Sequence, residues 1–115
     1  MEKVVVIKPE QVMGDGWKIF FNGEGLVKIF FKSERLTMAQ FELLPGKSLN
    51  EDVHPDGDEG YYIAAGICTV ILPELNEIYE VHEGELFYIP AGVRHIAMNA
   101  HGLPAKVIAA IAPQA

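Results

Sequence analysis

Apolar and polar residues alternate in short runs along most of this chain, and nearly every run ends at glycine, proline or asparagine. The runs 4–7, 17–21, 26–31, 36–44, 61–65, 67–72, 78–82, 86–89, 96–99 and 106–111 are rich in Val, Ile, Phe, Tyr and Thr. Each has the length and composition of a β-strand. Nothing longer than about ten residues sets apolar side chains at i, i+3, i+4 and i+7, so no substantial helix is expected. Many short strands with regular turns predict an all-β sandwich or barrel.

Side chains alternate across a strand, so parity predicts which of them face inward. In 36–44, Ala39, Phe41 and Leu43 share one face while Met38, Gln40 and Glu42 share the other. Glu59, Tyr61, Ile63 and Ala65 fall together, as do His95, Ala97 and Asn99 after the turn at 90–92. Glu59 and His95 thus head two faces that look into one barrel.

Length and charge narrow the picture. A chain of 115 residues, half of them apolar and 22% charged, is expected to form one globular domain over residues 1–115. The net charge of −7 argues against nucleic acid or an anionic membrane as the main partner, because both reward a basic surface. The longest nearly apolar stretch, 61–72, is short of the roughly 20 residues a spanning helix needs. The run 4–7 is shorter than a secretory apolar region, and the lone Cys68 makes no internal disulfide. A cytoplasmic location is the expectation. The charge is uneven, +1 over residues 1–47 and −8 over 48–115. Most of that surplus reads as a solvated face, but some carboxylates fall at positions suited to a cation.

Two spaced patterns occupy the acidic half. The first is Gly46-x5-Asp52-x-His54-x4-Glu59-x6-Gly66, and the second is Gly84-x5-Pro90-x-Gly92-x2-His95-x3-Asn99. On an extended segment Asp52 and His54, two residues apart, point to the same side. The turn at 55–57 folds the chain back so that Glu59 joins them, and His95 arrives from a separate hairpin turned by Pro90 and Gly92. Two imidazoles and two carboxylates suit Fe, Mn, Ni, Co or Zn as a divalent ion, with open positions for a substrate. A polar barrel mouth in which His54 and His95 are merely hydrogen-bonded is the alternative.

These patterns resemble the two motifs of the cupin superfamily, the second at every position and the first everywhere except its leading histidine, which here is Asp52. The resemblance spans 46–66 and 84–99 and implies a jelly-roll barrel, or double-stranded β-helix, with a site in one mouth. It also implies a metal held by His54, Glu59 and His95. Asp52 either ligates in place of a histidine or points away, leaving three ligands or an empty site. The function expected is a metal-dependent enzyme acting on a small polar metabolite, a sugar or organic acid, by isomerase, lyase, decarboxylase or dioxygenase chemistry. Glu59 and Tyr61 are the candidate proton carriers. The alternative is a non-catalytic binding or sensing domain, possible without metal. A homodimer is expected, because the apolar run 4–7 would form an edge strand in need of a cover.

Other residues read as supporting ones. Gln40 and Glu42 are simplest as exposed, and parity turns Arg94 away from His95 toward the surface. Asp56 and Asp58 serve the turn before Glu59. His82 and His101 lie beside turns in solvent, and Cys68 packs in an apolar strand.

Overall fold

The computed structural model describes residues 4–8, 18–113 and 115. Among these residues nine strands follow one another: β1 (Lys18–Asn22), β2 (Gly25–Lys32), β3 (Thr37–Leu43), β4 (Asp58–Ala65), β5 (Ile67–Leu72), β6 (Glu77–His82), β7 (Leu86–Ile89), β8 (Ile96–Met98) and β9 (Ala105–Ala112). The helical content among the described residues is one 3-10 turn, Pro73–Leu75. Alternation of apolar and polar residues accounts for this, since a period of two suits a half-buried strand and no helix.

The strands form two antiparallel sheets, one in the order β1-β2-β3-β9-β4-β7 and the other β6-β5-β8. Residues 46–52 extend the smaller sheet by running antiparallel beside β8. Leu49 N–H donates to Ala97 O at 2.9 Å, and Asp52 and His95 exchange backbone hydrogen bonds of 2.9 and 3.0 Å. The result is a double-stranded β-helix, and both motif segments lie side by side in it. Between the sheets sits a core of Phe41, Leu43, Ile63 and Val107 from the larger sheet and Cys68 and Val70 from the smaller. No helix among the described residues is long and apolar enough to cross a membrane.

Parity holds where the ladders are regular and fails at two bulges. Thr37, Ala39, Phe41 and Leu43 are buried while Met38, Gln40 and Glu42 stand on the outer face, where Gln40 Nε2 donates to Glu42 Oε1 at 3.1 Å. In β4 an irregularity between Ile63 and Ala65 pairs Ala65 with Lys106. Ala65 therefore leaves the face of Glu59, Tyr61 and Ile63 that alternation assigned to it, because one extra residue reverses parity. In β2 the register shifts between Ile29 and Phe31, so that Phe31 opposes Met38 and Lys32 opposes Thr37. Strict alternation would have placed Phe31 inward and Lys32 outward.

The expected strand at 4–7 is absent: residues 4–8 make no strand pairing, and Val4, Val5 and Val6 are exposed. An apolar run becomes a strand only where a neighbour completes its hydrogen-bond ladder, and none of the described residues does so there. Trp17, placed at the start of the next run, lies outside the described residues.

Asn99 shows how the second motif holds the fold. It is fully buried; its Nδ2 donates to Leu43 O at 2.9 Å and Leu103 O at 2.7 Å, and its Oδ1 accepts from His101 N–H at 2.9 Å. One amide thereby ties β3, the end of β8 and the 101–103 turn. Gly66 serves a similar end by its size: at φ +77°, a Cβ there would lie 2.4 Å from Pro104 O. Asn99→Ala should destabilise the protein by about 1–3 kcal/mol for each carbonyl it leaves buried and unpaired, read as a lower midpoint in chemical denaturation. Cys68 is buried, and desolvation pushes its thiol up to about 12. It should resist thiol reagents at neutral pH until the protein is denatured, as a timed labelling assay would show.

Candidate metal centre

The two turns of the motifs hold each other. Gly92, at φ +83°, occupies the left-handed position of the turn from Pro90, whose carbonyl accepts from Val93 N–H at 3.2 Å. Gly92 N–H donates to His54 O at 2.9 Å, and Ala91 N–H donates to Asp58 Oδ1 at 2.9 Å. Asp58 thus serves this second turn as well as beginning β4. The backbones that carry His54, Glu59 and His95 are fastened together before their side chains meet.

The side chains converge at one end of the barrel. His95 Nε2 lies 3.0 Å and His54 Nε2 3.5 Å from Glu59 Oε1. Glu59 is 5% exposed and His95 2%. Neither imidazole meets Glu59 Oε1 in hydrogen-bond geometry, so this buried oxygen is unsatisfied despite two nitrogens beside it. His95 Nδ1 donates to Val93 O at 2.9 Å, which in the neutral ring leaves Nε2 as a lone pair facing a carboxylate. Two acceptors face to face require a cation between them, either a second proton or a metal.

Protonation follows the same logic. The Glu59 carboxylate raises the pKa of His54 above its ordinary value, against burial. Burial works to lower that of His95, but Glu59 and the Val93 carbonyl outweigh it and the net shift is upward. Burial likewise opposes ionisation of Glu59, yet the two imidazoles hold it below the usual carboxylate range. Tyr61, buried against the His95 ring with centroids 6.0 Å apart, has its phenol pushed well upward by desolvation and then by Glu59. It therefore keeps its proton and has an O–H to donate.

The geometry fits a metal. Ligand bonds of about 2.0–2.2 Å in tetrahedral or octahedral arrangement place donor atoms roughly 3.0–3.5 Å apart. The 3.0 and 3.5 Å separations here match, and the ligand atoms of His54, Glu59 and His95 all lie within 4.8 Å of one another. Asp52 stands outside this mutual group. Its Oδ2 is 3.5 Å from His54 Nε2, its Oδ1 accepts from Val53 N–H at 2.8 Å, and its side chain is half-exposed at the cavity rim.

A cavity of about 160 Å³ opens beside His54 and Glu59, walled by Val27, Ile29, Phe41, Leu49, Tyr61 and Ile111. Its polar margin includes residues that the motifs do not indicate, Asn22, Lys32 and Thr37. Thr37 is 4% exposed, and its Oγ1 has no hydrogen-bond partner among the described residues. A buried hydroxyl in that state costs roughly 1–3 kcal/mol. Parity alone would have placed Thr37 with Ala39 and Phe41; Lys32 was illegible because the bulge in β2 reverses it. The remaining candidates lie apart from the cavity. Arg94 pairs with Glu51 at 3.7 Å and Glu74 at 3.3 Å, His101 pairs with Glu80, and His82 is exposed.

Comparison with known proteins agrees with this architecture. The cupin domain family matches residues 39–111. The tetracenomycin polyketide synthase protein TcmJ of Streptomyces glaucescens is 30% identical over 78 residues, 68% of this chain and 51% of that protein. The chain thus spans about half the length of the curated relative it matches. TT1209 of Thermus thermophilus superposes with a TM-score of 0.68 at 26% identity, over 96% of this chain and 91% of that one. A predicted oxalate decarboxylase of Thermotoga maritima superposes with a TM-score of 0.74 over 95% and 99% of the two chains; at 18% identity it shows the fold alone. The family match covers more than half the chain and contains both spaced motifs, and on that ground the chain belongs to the cupin family.

Proposed function

We propose that this cupin is a metal-dependent enzyme whose ion is held by His54, Glu59 and His95 and whose substrate is a small metabolite with metal-binding oxygen atoms. One observation carries the reading. Two imidazole nitrogens approach a buried carboxylate oxygen to 3.0 and 3.5 Å, and neither satisfies it. Two histidines and one carboxylate also leave coordination positions open. A divalent ion of Fe, Mn, Ni, Co or Zn there would supply Lewis acidity toward substrate oxygens, serving isomerase, lyase or decarboxylase chemistry, and iron would extend this to dioxygenase chemistry.

The chain's own residues do the rest. Val93 O fixes the His95 ring so that Nε2 faces the centre. Tyr61, protonated and buried beside His95, donates a hydrogen bond or a proton to a substrate oxygen that gains charge. Glu59 carries the negative charge that balances the ion and is the second candidate for proton movement. Asp52 Oδ2, 3.5 Å from the His54 nitrogen that would hold the ion, adds negative charge at the rim of the centre. The apolar walls exclude water from the reacting group. The exposed Val4–Val6 stretch is the segment through which a second copy would pair in the expected homodimer.

Protein reconstituted separately with the five metals should retain one ion per chain by elemental analysis. His54→Ala and His95→Ala should each weaken retention by more than the roughly 10–100-fold that loss of an outer partner costs. His82→Ala should leave it unchanged, and Asp52→Ala should stay within that roughly 10–100-fold range. Failure to bind any of the five metals would overturn the enzyme reading in favour of a metal-free binding domain. Protons compete for both imidazoles, whose pKa values lie above the ordinary 6.5 in the metal-free protein. Affinity should therefore fall as pH drops through those values, by up to about a hundredfold per unit once both rings are protonated. A flat profile from pH 8 to 5 by competition with a chelator would contradict the assigned ligands.

A further inference from the structure

We infer that Lys32 and Thr37 form a carboxylate-binding pole at the end of the cavity opposite the metal ligands, so that the site takes a ring-sized apolar acid. The proposal rests on the metal reading for the other end of that molecule. Lys32, Thr37, Ile111 and Glu59 occupy one row across the larger sheet, paired in turn through β2, β3, β9 and β4. Thr37 and Glu59 are two strands apart, roughly 9–10 Å along the row. A molecule seated between them meets the apolar Ile111 in the middle and polar groups at each end.

Three features mark the far end as built for a ligand. The bulge in β2 turns Lys32 rather than Phe31 toward the cavity, and bulges beside sites often re-aim a side chain in this way. Lys32 forms no ion pair among the described residues, whereas Lys47, Arg94 and Lys106 each pair with a glutamate. Thr37, on the cavity wall, has a buried Oγ1 with no partner among the described residues. An ammonium and a hydroxyl together donate to the two oxygens of one carboxylate. A phosphate, with more charge, would meet Asp52 and Glu59 in the same cavity. The cavity's 160 Å³ is close to the roughly 150 Å³ of an apolar cavity known to bind benzene, so the body between the poles is about one ring. The expected polar metabolite is thereby narrowed to a molecule that is polar only at its ends.

Calorimetric titration of the metal-loaded protein with 3,4-dihydroxybenzoate and with catechol reads the pole directly, since the two differ only in the carboxylate. The acid should bind at least about tenfold tighter, as expected for charge-assisted hydrogen bonds. Thr37→Val and Lys32→Met should each reduce that preference severalfold or more while leaving the metal content as in the parent protein. Thr37→Val should at the same time raise the melting temperature, because it removes an unsatisfied hydroxyl of the free protein; a merely structural threonine would not raise it. Equal binding of the two ligands by the parent protein, or a preference that survives both substitutions, would overturn the proposal. Should the protein take up no metal, the metal reading fails separately and the pole is read on the metal-free protein by NMR titration with benzoate and benzyl alcohol. A benzoate preference lost in both variants then supports it, and no preference overturns it.

Discussion

Glu59 is a carboxylate held almost out of water, and the architecture around it answers the cost of that position. An isolated buried charge is strongly unfavourable and survives only with compensating partners. Here the partners are two imidazoles from different parts of the chain, at 3.0 and 3.5 Å. Either both rings carry protons and form a charged triad, or a metal takes the place of those protons. The raised histidines, the lowered glutamate and the unsatisfied oxygen all express this one constraint.

Much of the fold serves to bring these three groups together from separated segments. His54 follows the 46–52 segment that runs beside β8, Glu59 is the second residue of β4, and His95 leads into β8. The paired backbones of Asp52 and His95, the Gly92 contact to His54 O and the Asp58 contact to Ala91 lock the segments in register. Asn99 closes the other end of the same hairpin onto β3. The motif glycines and asparagine therefore act on geometry, while the histidines and glutamate act on chemistry.

Most of this was legible in the chain. Strand runs lead to an all-β sandwich or barrel, and the resemblance of the two motifs to the cupins narrows that to a jelly roll, with which the family match over 39–111 agrees. The i, i+2 and turn spacings single out His54, Glu59 and His95, which the fold brings together. What alternation does not carry is a change of register. A bulge is set by how two strands pair, not by the residues of either one, so Lys32 and Ala65 appear on the wrong faces when each strand is read alone. The run 4–7 misleads for a related reason, since apolar content describes a strand's side chains and not whether a partner exists for its backbone. Asp52 was left open between ligand and bystander because spacing fixes its side of the chain but not the reach of its short carboxylate.

The central claim is that the three converging side chains hold a metal ion. An anomalous difference map from crystals of the metal-loaded protein, collected at the absorption edge of the added metal, tests it most directly. One peak is expected, about 2.0–2.2 Å from His54 Nε2, His95 Nε2 and a Glu59 oxygen, with free positions facing the cavity. A peak bound elsewhere, or no peak between these residues at saturating metal, would contradict it.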